Sequence, residues 1–193
     1  MVKIKKIGQR LVQNQYLDIL SDSLIDSLTA QFKFLEAFNM KQNIEITKKA
    51  LEDLKKGKDG QIPIEQLETA IEVSKENKVM IDEAIASNKA ISEESKEIFS
   101  SGMEDYGRGT RKMVNVGYAS REYLSNLDGL GMGMFGNLEG MLFIVENIPS
   151  LTKTFLASTD SLVQYSNNND IPVPEEISSM QKEKAEGSFA EFN

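Results

Sequence analysis

A chain of 193 residues and 21.6 kDa with 40% hydrophobic residues can bury one ordinary core but is too short for two full-sized domains. Its 22 Lys+Arg against 30 Asp+Glu leave a formal net charge of -8 and a pI near 4.8, a field that repels phosphate backbones and argues against nucleic acid as a partner. With no histidine and no cysteine, it lacks the usual general base, the usual zinc ligands, a thiolate nucleophile and any disulfide.

The apolar residues Ile4, Ile7, Leu11, Leu17, Leu20, Leu24, Leu28, Phe32, Leu35 and Phe38 follow the three-then-four spacing of one helical stripe. A helix of about 32 residues spans roughly 48 Å, so an elongated molecule is implied. The stripe restarts out of phase at Ile44, Thr47, Leu51 and Leu54, which predicts a break near Lys41, and Lys55-Lys56-Gly57 supplies cations and then a glycine for the second helix to end on.

A third helix opens at Pro63, where the missing N–H costs nothing. Its stripe of Leu67, Ile71, Ile81, Ile85 and Phe99 is interrupted by Ser74, Lys78, Asn88 and Ser95, polar layers of the kind that specify register. Ser100-Ser101-Gly102 reads as a stop or kink, with Gly107 and Gly109 making Glu104 to Arg111 irregular; a fourth helix carries Met113, Val114, Tyr118, Leu124 and Leu127 and ends at Asp128-Gly129.

A fifth helix is expected to start within the glycine run from Gly129 to Gly136 and to bend at Pro149, with a sixth segment carrying Leu151, Phe155, Leu162 and Tyr165. These helices make a bundle domain over residues 1–166. Residues 167–193 are set apart as an Asn/Pro linker, a short helix from Pro174 to Glu186 and a loose tail.

Met1 to Ile7 starts basic, but no continuous apolar stretch follows it, so no leader is expected in the chain as it stands, and no window of 18 or more residues is free of charge and strong polarity. The absence of cysteine does not decide between cytosol and an exported location.

Three segments invite a chemical reading. The loop from Lys58 to Leu67 imitates a calcium-binding hand, but with Gly60 at the sixth position the first and twelfth fall on Lys55 and Gln66, which leaves Asp59 as the one good ligand. The acidic clusters Asp82-Glu83, Glu93-Glu94-Glu97 and Glu104-Asp105 fall mostly off the apolar stripe and read as solvated faces. No metal, cofactor or catalytic residue is assigned.

Three of the four arginines, Arg108, Arg111 and Arg121, fall close together among acids, and the planar fork of arginine makes them an anion site or an internal ion-pair cluster. The glycine- and methionine-rich segment is the most informative. Gly129 and Gly133, and again Gly136 and Gly140, stand four apart, a spacing that allows close helix approach, while Met132, Met134, Phe135, Met141 and Phe143 offer adaptable apolar surface for a partner.

The runs Ala50-Leu51-Glu52, Ile71-Glu72-Val73-Ser74, Met80-Ile81-Asp82-Glu83-Ala84, Ile91-Ser92-Glu93-Glu94-Ser95-Lys96 and Tyr106-Gly107-Arg108-Gly109 give Leu35 to Leu127 a pattern that resembles uncharacterised exported helical proteins of Gram-negative bacteria. The resemblance implies a periplasmic or exported location if a leader has been removed, and carries over no activity; without it the location is cytoplasmic.

The expectation is therefore an all-α protein, an elongated antiparallel bundle of four to six helices with a kinked glycine-rich segment, its first helix packed along the third. It is read as a non-enzymatic binding or scaffolding module of the bacterial envelope, engaging a protein partner, or a second copy of itself, through Gly129 to Ile148. The alternative is a membrane-active protein inserting that same segment.

Overall fold

The computed structural model describes residues 2–57, 62–127 and 138–192. Among them are six α-helices, α1 (Val2–Ala37), α2 (Lys41–Gly57), α3 (Ile64–Ala86), α4 (Glu93–Leu127), α5 (Leu138–Asn168) and α6 (Glu175–Ala185), followed by a 3₁₀ turn at Ala190–Phe192. No strand occurs among the described residues. The chain is an all-α bundle whose successive helices run up and down, and at about 1.5 Å per residue the two longest, α1 and α4, set a long dimension of roughly 50 Å.

Four of the helices end on one device. Asn39, Asn88, Asp170 and Gly187 take positive φ (56°, 48°, 55° and 81°), and in each case the next amide turns back onto the carbonyl five residues before it. Met40 N donates to Leu35 O at 2.8 Å, Lys89 N to Ala84 O at 2.9 Å, Ile171 N to Ser166 O at 2.9 Å and Ser188 N to Glu183 O at 2.9 Å. This left-handed cap satisfies carbonyls the helix leaves open, and asparagine and aspartate tolerate it better than other side chains with a Cβ.

The cap at Asn88 corrects the third predicted stripe. α3 stops at Ala86, and Phe99 belongs to α4. Of the interrupting polar residues, Ser74 is buried, Lys78 and Ser95 are half-buried, and Asn88 is exposed in the turn.

The predicted stop at Ser100-Ser101-Gly102 does not occur, and α4 runs unbroken through Gly102, Gly107, Gly109 and Gly117. These glycines are small for packing. A Cβ on Gly102 would lie 2.8 Å from Phe34 Cε1, and one on Gly109 would lie 2.5 Å from Ser27 Oγ and 2.9 Å from Ser27 N. α1 and α4 therefore approach backbone to backbone, with Ser23 Oγ donating to Gly109 O at 2.7 Å. Glycine inside a helix costs roughly 0.5–1 kcal/mol relative to alanine, an expense that close packing offsets here.

The main partner of α1 is accordingly α4, lying antiparallel to it, while its contact with α3 is smaller; this corrects the expected pairing of the first helix with the third. Two ion pairs run along the seam, Lys33 Nζ to Asp105 Oδ2 and Lys112 Nζ to Asp26 Oδ2, both at 2.6 Å. α5 also differs from expectation, since one helix continues through Pro149 to Asn168. Proline removes one rung of the hydrogen-bond ladder there without ending the helix.

The core is aromatic at its centre. Phe34 and Phe99 stack at 4.7 Å between ring centroids, Phe38 and Tyr165 each contact Phe99 at 5.6 and 5.1 Å, and Tyr106 meets Phe34 and Phe155 at 6.1 and 5.7 Å. These rings tie α1, α4 and α5 together. Beside them, a buried polar group joins α1, α2 and α3: Gln31 Nε2 donates to Ser74 O and Ser74 Oγ at 3.0 and 2.9 Å, and Asn77 Nδ2 to Gln31 Oε1 and Thr47 Oγ1 at 3.3 and 2.7 Å. Every one of these four side chains is at most 2% exposed, so their pairing fixes the relative register of the three helices.

The C-terminal residues are packed, where a loose tail was expected. Ile171 and Ile177 enter the main core. Phe189 and Phe192 join Val114, Leu156 and Met180 in a second, smaller cluster, with Tyr118 packed against it.

Candidate functional site

Between α3 and α5 the two helices touch only lightly, and a cleft of about 140 Å³ opens there. α3 lines it with Ser74, Lys75 and Lys78, and α5 with residues one helical turn apart from Glu146 and Asn147 to Thr154 and Phe155. The floor is apolar, since Leu151 and Phe155 are buried, and the walls are polar. The small side chains of Ser74 and Ser150 leave the gap between the helices unfilled. A separate recess of about 10 Å³, which also has Lys78 in its lining, lies between Gln31, Asp82, Tyr106 and Ser158, with room for about one water molecule.

The two lysines that line the cleft are paired within α3. Lys78 pairs with Asp82 one turn on, and Lys75 Nζ lies 2.8 Å from Glu72 Oε1. Beneath them the Tyr106 hydroxyl donates to Phe155 O at 3.2 Å. Burial pushes the Tyr106 phenol well above its usual value, with the nearby Asp82 charge acting in the same direction and Ser158 opposing it. Tyr165, whose hydroxyl donates to Lys89 O at 2.6 Å, is likewise raised by burial. Both phenols are neutral hydrogen-bond donors. A cleft of this size is below the roughly 300–1,000 Å³ of small-molecule sites, and fits one or two inserted side chains.

Of the three arginines, the two whose side chains are described, Arg108 and Arg111, do not converge on one ligand. Arg108 pairs with Asp105, which is also held by Lys33, on the side of α4 that faces α1. Arg111 faces α6, where its fork meets both oxygens of Glu183 at 3.2 and 3.0 Å and Ser179 Oγ at 3.1 Å. Both make ion pairs within the chain. The side chain of Arg121 lies outside what the structure describes, as does that of Met141; Met132, Met134, Phe135 and the loop centred on Asp59 and Gly60 are outside the described residues altogether. Phe143 is 7% exposed and part of the main core.

Among the described residues no group of three or more acidic side chains is placed to hold a metal ion, and no helix is long and apolar enough to cross a membrane. The cleft itself was not anticipated from sequence. Its signals were Ser74 and Lys78, polar residues interrupting the apolar stripe of α3.

No family model matches the chain, and no curated protein or solved structure is significantly similar to it. The likeness to exported helical proteins stays with the sequence pattern that suggested it.

Proposed function

We propose that this chain is a non-enzymatic helical binding or scaffolding module of the bacterial envelope that engages a protein partner around the start of α5. The observation that carries this reading is the cleft between α3 and α5. Its α5 wall begins at Glu146 and Asn147, directly after the glycine- and methionine-rich segment, so that segment and the cleft form one continuous stretch of chain. An apolar floor with a polar rim is the anatomy of a protein-recognition pocket, in which an inserted anchor residue supplies most of the binding energy. The buried Gln31–Ser74–Asn77–Thr47 group braces the α3 wall, which reduces the ordering cost that binding would otherwise incur.

The test is capture of envelope proteins on immobilised chain. Replacing Met132, Met134 and Phe135 by Ser, or filling the cleft with Ser150→Trp, should each reduce capture of a specific protein at least about tenfold, the size of a single hot-spot loss, with helicity unchanged. Capture that survives both changes contradicts the reading. Liposome flotation separates the membrane-inserting alternative, since a scaffold of net charge -8 stays in solution with anionic vesicles.

A further inference from the structure

α3 turns a row of glutamates to solvent beside the cleft. The three- and four-residue spacing of Glu65, Glu68, Glu72, Glu76, Val79 and Glu83 puts all six on one face of the helix, and all six are exposed. The two cations of the helix that neighbour this face, Lys75 and Lys78, line the cleft, where they pair with Glu72 and Asp82. Among the described residues Glu65, Glu68, Glu76 and Glu83 take no ion-pair partner. On α2, by contrast, the exposed residues Lys48, Lys49, Glu52 and Lys55 mix both signs.

The opposite wall adds another exposed carboxylate, Glu146. The field over the cleft is therefore negative. Glu68, Glu72 and Glu76 stand four apart, a like-charge spacing that destabilises a helix on its own and that cations from outside would relieve. Val79 is 58% exposed among these acids, so apolar surface is offered beside the rim as well as on the floor at Leu151 and Phe155.

From this we propose that the occupant of the cleft is a cationic segment of a partner protein, with one apolar anchor seated over Leu151 and Phe155 and lysines or arginines a helical turn to either side meeting the glutamate row. Such an occupant presupposes the partner-binding reading of the cleft and supplies its chemistry. The charges set orientation and the rate of encounter, while the anchor supplies the hold.

The probe is a labelled helical peptide of about 18 residues, five turns, with one central Phe among lysines, and a counterpart with glutamate in place of each lysine. Anisotropy at low salt should show the full-length chain binding the lysine peptide at least about tenfold more tightly than the glutamate one. Glu68→Gln, Glu76→Gln and Glu83→Gln together should lower that affinity about tenfold, and so should Ser150→Trp. A control removing as many charges from exposed sites elsewhere, Glu45→Gln, Glu52→Gln and Glu186→Gln, should leave it within about twofold. All six glutamates are exposed, so neither triple variant should lose helicity. Equal affinity for the two peptides overturns the proposal, as does an equal loss in both triple variants or binding that survives Ser150→Trp. The two readings fail separately. An envelope protein whose capture is lost with Ser150→Trp but kept by the row variant overturns the cationic occupant and leaves the partner module standing, whereas peptide binding without capture of any envelope protein overturns the module.

Discussion

Tyr106 stands where the aromatic core meets the floor of the cleft, touching Phe34 and Phe155 with its ring and the Phe155 carbonyl with its hydroxyl. Because burial raises its pKa, the folded chain holds the phenol neutral at pH values where the unfolded chain ionises it. The unfolded state therefore binds fewer protons above the ordinary tyrosine value of about 10, and stability falls with rising pH from there upward. Denaturant unfolding should show this contribution intact just below pH 10 and lost progressively above it, and Tyr106→Phe should reduce the slope of that loss, with the raised Tyr165 supplying part of the remainder; an unchanged slope would show that Tyr106 does not contribute. At this scale the sequence was only partly legible. Ser74 was visible as a polar interruption of an apolar stripe, and Gln31 sits between Leu28 and Leu35 at a core-type position. That the two meet, with Asn77 and Thr47, follows from how three helices come together, which no single stripe contains.

At the scale of elements, the glycines of α4 do not break the helix as the sequence reading expected. Gly102, Gly107 and Gly109 suggested an irregular stretch, yet they lie inside α4, where tertiary contact outweighs their poor helix propensity. Helices end instead at Asn39 and Asn88, in the left-handed caps. The sequence signals located the helix boundaries through the start of the third helix at Pro63, but they could not tell a glycine that breaks a helix from one that lets a neighbour approach. The distinction has a measurable consequence. Gly109→Ala improves helix propensity by about 1 kcal/mol, but its Cβ would strike the backbone of α1 at Ser27. The net effect expected is destabilisation of about 1–3 kcal/mol, the usual cost of overpacking, measured by urea unfolding. A neutral or stabilising result would mean that α1 and α4 do not pack as closely as described.

For the molecule as a whole, the helical spacing of the apolar residues was enough to indicate an all-α bundle. The packing order did not follow from it. α1 runs chiefly against α4 because the glycine face of α4 and the serines of α1 admit a closer approach than α3 allows, and helix stripes alone do not rank partners. The C-terminal residues misled for a related reason: Phe189 and Phe192 are isolated in sequence, and the groove that buries them is made by α4 and α5. What emerges is a braced bundle with a polar-rimmed cleft on one seam. The central claim is that the cleft meets a protein. A photo-crosslinking residue placed at Ser150 in native cells, with the same residue at exposed Glu52 on α2 as reference, tests this most directly. One discrete crosslinked protein is expected from position 150 and none from position 52. Equal labelling from both positions, or none from position 150, would contradict it.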